Sequence, residues 1–415
     1  MSVILLIVGL VLFIALVVVH EWGHFIMARR NGVTVEEFAI FFPPRLFKRK
    51  TKAGWDFAIN LLPLGGYVKL KGEHDSDTAK GSFGAASLAA KTKIMAAGVV
   101  MNLITAIVLF TILALVGIPQ LVDNQFTIKS DTKVSRSELI ISYVEPGSPA
   151  AKAGLKTGDQ IKGAWLSRAG TCAYPEFVGS LHCDLGPLTG YGPKDPDITI
   201  KNPQDLKNVT KQHAGKVVQF AVVRGGKEYA PSVQLRTEQV VATSQKTNAP
   251  KGYLGVAPST YTLQRSTWSA PIVALGLTKQ FTVLTFQGLG KAVAGLGSII
   301  AGAVTGNTHA RQNGQTAASE QVSGPVGIYV ILQDGSLLGY QYVLFIIAII
   351  SLTLAIMNIL PIPALDGGRL WITLFTRAIG KPLSAKREEW INATGFLVLI
   401  GLMVVITVVD VKRFF

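Results

Sequence analysis

Three residues at the end of an apolar run, His20, Glu21 and His24, have the types and spacing to do hydrolytic chemistry. On a helix the two histidines lie one turn apart on the same face, so both imidazoles reach one metal ion. Glu21 stands beside them, placed to take a proton from a metal-bound water. A plain helix end, with His and Glu reaching the bilayer interface, is the competing reading. Ionisable side chains inside an apolar stretch are costly, however, and that favours a functional role. Far along the chain, Asn358-Ile359-Leu360-Pro361-Ile362-Pro363-Ala364-Leu365-Asp366-Gly367-Gly368 follows a second apolar run. Its prolines break the helix and free backbone at depth, and its glycines permit a tight turn. Asp366 is therefore the natural third ligand, leaving one coordination position open for water. Asn358, about two helical turns earlier, and Asn102 are candidates to donate hydrogen bonds to a substrate backbone or an oxyanion.

The elements that must carry these residues belong in a membrane. Of 415 residues, 49% are apolar and only 16% charged, with a mean hydropathy of +0.39. That composition points to a polytopic membrane protein. The net charge of +15 falls in short basic segments beside apolar runs, as cytoplasmic loops do, and no nucleic-acid motif accompanies it. Four spans are expected: Val3 to about Ala28, Ile94–Ile118, Tyr342–Leu360 and Ile391–Val409. The first leads into the metal motif and lacks a basic leader, so it reads as a retained span rather than a removable signal peptide. The lysine and arginine distribution places both termini outside and the metal motif a few turns from the inner face. In the second span, Gly98 permits close helix approach, and Asn102 reads either as structural glue or as a polar contact facing the metal.

Between the first two spans, Leu64-Gly65-Gly66-Tyr67-Val68-Lys69-Leu70 reads as part of a hairpin or re-entrant loop; an ordinary surface hairpin is the alternative. An exposed strand edge here could pair with an extended peptide. Residues 1–124 thus form an N-terminal membrane region and 341–415 a C-terminal one. Residues 125–256 read as a polar α+β domain outside the membrane. Its Pro146–Ile161 stretch, a helix beginning at Pro203 and a hairpin at Gly225-Gly226 resemble a PDZ domain of the bacterial protease type. An insertion in that domain holds Cys172 and Cys183, which could form a disulfide outside the cytoplasm or remain two thiols. Residues 257–340, interrupted by Lys279, Gln280, Gln287 and Lys291, read as interfacial amphipathic helices and a loop.

Taken together, these motifs resemble the site-2 protease family of intramembrane zinc metalloproteases. The similarity is strongest to the bacterial regulator-of-sigma-E type, here with a single PDZ domain. The expected fold is a polytopic α-helical membrane protein with about four transmembrane helices, one inserted extracytoplasmic PDZ-like domain and a membrane-associated β-hairpin. The resemblance implies one zinc ion per chain on His20, His24 and Asp366, with Glu21 catalytic. It also implies location in a bacterial inner membrane and cleavage of single-span membrane proteins within the bilayer, usually after another protease has trimmed them. Residues 64–70 (Gly65, Gly66, Tyr67 and Val68 among them) would then hold the unwound substrate, and the PDZ-like domain would exclude uncut substrates. The rival readings are an inactive PDZ-bearing membrane scaffold and a metal-dependent transporter. Intact motif residues weigh against the first, and the lack of repeated halves weighs against the second.

Overall fold

A proline-free apolar run satisfies its backbone in hydrocarbon in one way, as a helix. The computed structural model accordingly begins with the 29-residue helix α1 (Ser2–Arg30). It describes residues 2–73, 77–166, 195–247, 249–309, 312–313, 324–380 and 384–414; Cys172 and Cys183 lie outside them. The chain divides into two units, one of Met1–Thr132 with Arg265–Phe415 and one of Lys133–Gln264.

In the first unit, β1 (Val35–Lys50) and β2 (Asp56–Leu70) form a sheet of their own. Both strands are bent, so the chain passes through the sheet more than twice. Phe38 pairs with Val68 on one side and Phe57 on the other, while residues 45–50 pair with 56–60. The bend in β1 lies at Phe41, whose φ is 71°. The hairpin expected within residues 55–71 is instead one bent strand, β2, whose antiparallel partner β1 covers a segment expected only as a basic loop. Arg45 and Lys48 do not extend freely: Arg45 donates to both oxygens of buried Glu37 at 2.8 and 2.9 Å, and Lys48 pairs with Asp56 at 2.8 Å.

Next comes α2 (Leu88–Val116), capped by Ser87, whose hydroxyl accepts from the Ala90 N–H, and the short β3 (Ile118–Pro119). The second unit holds β4 (Lys133–Val144), α3 (Pro149–Lys152), β5 (Gln160–Leu166), β6 (Ile198–Thr199), α4 (Pro203–Gln212), β7 (Val217–Arg224), β8 (Lys227–Tyr229), β9 (Ser232–Gln234), α5 (Glu238–Ser244) and β10 (Val256–Arg265). Its strands order β10-β4-β5-β7-β8, with β6 beside β5 and β9 beside β7. Leu139, Ile161, Leu206, Val218, Phe220 and Leu254 close its own apolar core.

The first unit resumes with α6 (Ala270–Thr305), α7 (Pro325–Leu338), α8 (Tyr340–Ile359), α9 (Asp366–Ala378) and α10 (Ala385–Phe414). Here the structure departs from the expected interfacial helices. Residues 270–305 form one continuous helix of 36 residues, and Lys279 and Lys291 do not interrupt it. Isolated lysines on a long helix keep their heads wet by extending along it. By length and composition five helices among the described residues qualify to cross a bilayer, one more than expected: α1, α2, α6, α8 and α10. Packing ties α6 to the rest: Ala270, Val273, Leu277 and Phe281 join Phe110 and Leu113 of α2 and Phe345 of α8 in one core. The Phe110, Phe281 and Phe345 rings lie 5.6–6.0 Å apart.

Candidate metal centre

The α1 helix sets His20 and His24 on one face, and α2 must come very close for that face to be covered. Two glycines allow it. A methyl on Gly23 would stand 2.7 Å from the Ala97 carbonyl oxygen, and a methyl on Gly98 would collide with both imidazoles. Gly98 was legible as a close-approach residue; Gly23, between the two histidines, was missed, although a glycine inside a helical motif is itself a packing signal.

Asp366 arrives from the other end of the chain. After α8, residues 360–365 leave the helix, with Ala364 at a φ of 72°, a strained region for a residue with a side chain. At Gly367 and Gly368 any side chain would strike the carbonyls of Ile359, Leu360 and Ile362. This turn starts α9 at Asp366 and aims its carboxylate at the histidines. Asp366 Oδ2 lies 2.9 Å from His20 Nε2 and 3.1 Å from His24 Nε2, and the two Nε2 atoms are 3.3 Å apart.

The other ring atoms decide what these three atoms can be. His24 Nδ1 lies 2.8 Å from the Ile94 carbonyl oxygen, so it carries the proton and leaves Nε2 a bare lone pair. His20 Nδ1 lies 3.2 Å from the Asn102 amide, whose Oδ1 is buried without a partner. Half a turn of that amide would let Oδ1 accept from His20 Nδ1–H. With each ring protonated at Nδ1 alone, both Nε2 atoms and Oδ2 are acceptors facing one another, a set of lone pairs that a metal cation would satisfy. A tetrahedral ion with bonds of about 2.0–2.1 Å spaces its ligands about 3.3 Å apart, close to the observed separations. Among the described residues this is the cluster of His, Cys, Asp or Glu side chains able to hold a metal ion.

Glu21 sits between this cluster and the outer strand of the β1–β2 sheet. A methyl on Gly66 would stand 3.2 Å from Glu21 Cγ, and Gly66 pairs with Ile40 on the other side, so the outer edge of residues 66–70 faces Glu21, whose carboxylate accepts from the Val68 N–H. Tyr67 points elsewhere: its hydroxyl donates to Glu37 at 2.6 Å, which braces the sheet. Gly65 packs on the Phe42 ring. Asn102 is brought to the cluster; the side chain of Asn358, half-buried on the last turn of α8, makes no hydrogen bond among the described residues. From Glu21 an apolar cavity of about 430 Å³ follows α1 back to Leu10, bounded by Phe38, Gly66, α7 and α10. Sequence reasoning did not foresee the α7 wall.

The sequence matches peptidase family M50 over residues 8–402. The chain belongs to that family. Among its M50-like relatives, a Clostridium perfringens protein is 29% identical over 98% of each chain. Zinc metalloprotease RasP of Geobacillus kaustophilus is 28% identical over 98% of this chain and 97% of its own. Regulator of sigma-E protease RseP of Salmonella typhimurium is 26% identical over 94% of each. The M50 match spans both His20–His24 and Asp366, the two segments that the fold brings together.

Proposed function

We propose that this member of family M50 is an intramembrane zinc peptidase, one ion per chain, held by His20, His24 and Asp366. It would cut the transmembrane segment of single-span membrane proteins in a bacterial inner membrane. What supports this is the convergence of three bare acceptor atoms beside Glu21 on a helix apolar enough to cross a bilayer. Zinc fits two imidazole nitrogens and one carboxylate oxygen, and two relatives are named as a zinc metalloprotease and a regulator of sigma-E protease.

When bound, the ion supplies Lewis acidity to the water and to the scissile carbonyl. The chain does the rest. Asn102 and the Ile94 carbonyl hold the histidines in the tautomer that presents Nε2. Glu21 takes the proton of the attacking water and delivers it to the departing amine nitrogen. A helical substrate must unwind before its carbonyl is reachable, and residues 65–70 offer an edge on which it lies extended. Asn358, at the end of α8, would donate to its backbone. The apolar cavity beside Glu21 takes the flanking side chains and keeps bulk water away. Unit Lys133–Gln264 is the PDZ-like filter that admits pre-trimmed substrates.

The test is cleavage of a pre-trimmed single-span substrate by purified protein in detergent. Wild type is expected to cut within the apolar segment. Glu21→Gln, Asp366→Ala and chelation each abolish the cut, and Glu21→Gln keeps its zinc. Cleavage that survives Glu21→Gln would overturn the assignment of the base.

A further inference from the structure

The cavity beside Glu21 is walled in part by two helices that meet at a buried carboxylate. Asp410, on the last turns of α10, is 1% exposed. Its Oδ2 accepts from the Gly324 N–H and the Gly327 N–H, each at 2.8 Å. These are first-turn donors of the 14-residue α7, which have no partner within their own helix. The carboxylate also faces the positive end of that helix. Gly324 belongs to the arrangement, because a methyl there would stand 2.8 Å from Ile406 and 3.0 Å from Asp410 Oδ2.

Helix α10 is also held near its start. Arg369 meets Glu388 at 3.4 Å near its start, and Gly395 packs on Pro363. Between these points and Asp410, Leu397, Val398 and Val405 are 60–70% exposed. Yet this helix and α7 line the cavity together, through Leu402, Met403 and Ile406 on one side and Pro325, Ile328 and Tyr329 on the other. At 1.5 Å per residue, the stretch of α1 from Leu10 to Glu21 along the cavity is about 16 Å long.

We infer that Asp410 is a positioning residue for substrate: its carboxylate clamps α7 to α10 and so sets the shape of the apolar wall that receives the substrate segment. The functional half rests on the peptidase reading above. Asp410 acts through the wall and touches neither the metal cluster nor Glu21, so its loss weakens substrate binding and spares the chemical step.

Two measurements on the full-length chain test this. The first compares wild type, Asp410→Asn and Asp410→Ala for KM, kcat and bound zinc. It is paired with the Kd of the same uncut substrate for a Glu21→Gln background carrying each change. Removing two hydrogen bonds to a charged group predicts a rise in KM and Kd of about tenfold or more for Asp410→Ala. The rise is smaller for Asp410→Asn, which keeps an acceptor oxygen, and kcat and zinc stay unchanged. A loss of kcat or zinc at unchanged KM would overturn the proposal, as would no change at all. The second places spin labels at Leu337→Cys on α7 and Val405→Cys on α10, after Cys172→Ser and Cys183→Ser. Asp410→Ala is expected to broaden the distance distribution; an unaltered one refutes the clamp. If wild type cleaves nothing, the peptidase reading fails, while the label distances still decide whether Asp410 ties the helices.

Discussion

At the scale of single residues, the centre depends on what is absent as much as on what is present. Gly98→Ala puts a methyl into both imidazoles. Neither ring can retreat, since one is held by Ile94 and the other by Asn102. The expected outcome is loss of bound zinc by elemental analysis and at least about a hundredfold loss of cleavage, larger than the 10–100-fold cost usual for groups that hold a metal ligand in place. Asn102→Ala falls inside that 10–100-fold range for metal affinity, and Asn102→Asp, which keeps the acceptor, restores most of it. Outside the spans, Asp131 accepts from the hydroxyls and backbone N–H groups of Ser269 and Thr267 at the start of α6. Those hydrogen bonds, the Ser269 hydroxyl foremost, hold its carboxyl well below the usual carboxylate range. A depressed pKa stabilises the fold above the unfolded value and loses that contribution as pH falls through the folded one. Asp131→Asn is therefore expected to lower the melting temperature by a constant amount between about pH 5 and 8, a gap that closes in strong acid.

At the scale of elements, the β1–β2 sheet shows why parts of this fold escape a sequence reading. Arg45, Lys48, Arg49 and Lys50 look like a solvated basic loop, and a charge run of that kind usually is one. Here Glu37 and Asp56 neutralise two of them across the sheet, and the run becomes a strand. Glu37→Gln weakens the Arg45 and Tyr67 contacts of a buried group, a loss of about 1–3 kcal/mol. Hydrogen exchange of residues 65–70 is expected to quicken while zinc is retained. Helix α6 escaped for the opposite reason. Its few polar residues read as interruptions, yet Gln280 is spent on the Phe126 N–H and the Asn124 carbonyl. The aromatic cluster at Phe281 anchors the helix to α2 and α8. If α6 lies in the bilayer, Leu296→Cys resists a membrane-impermeant thiol reagent in intact vesicles and reacts after detergent is added. Labelling without detergent would restore the interfacial reading.

At the scale of the whole molecule, the chemistry was far more legible than the architecture. His20, Glu21, His24 and Asp366 stood out because each is a costly side chain in or beside an apolar run, a signal local to a few residues. The walls of the cavity left no such mark: Pro325–Leu338 is too short for a span, and Asp410 reads as the trailing end of the last one. Their meeting is a property of the folded chain alone. Unit Lys133–Gln264 has its own core in Phe220 and its neighbours, and it is expected to unfold cooperatively when expressed alone. Deleting it is expected to leave zinc binding intact and to permit cutting of untrimmed substrates, measured with paired long and trimmed versions of one substrate. Unchanged discrimination would remove the filter from the account.

His24 and Asp366 are 342 residues apart in sequence, and this has a consequence for how such a chain is made. Ribosomes add roughly 5–20 residues per second, so about 20–70 s separate the synthesis of the histidine helix from that of its carboxylate partner. During that interval the growing polypeptide carries a base and two imidazoles but no complete triad. On the proposed ligand set, a spacing of 342 residues leaves the growing chain without a complete site until Asp366 has been made.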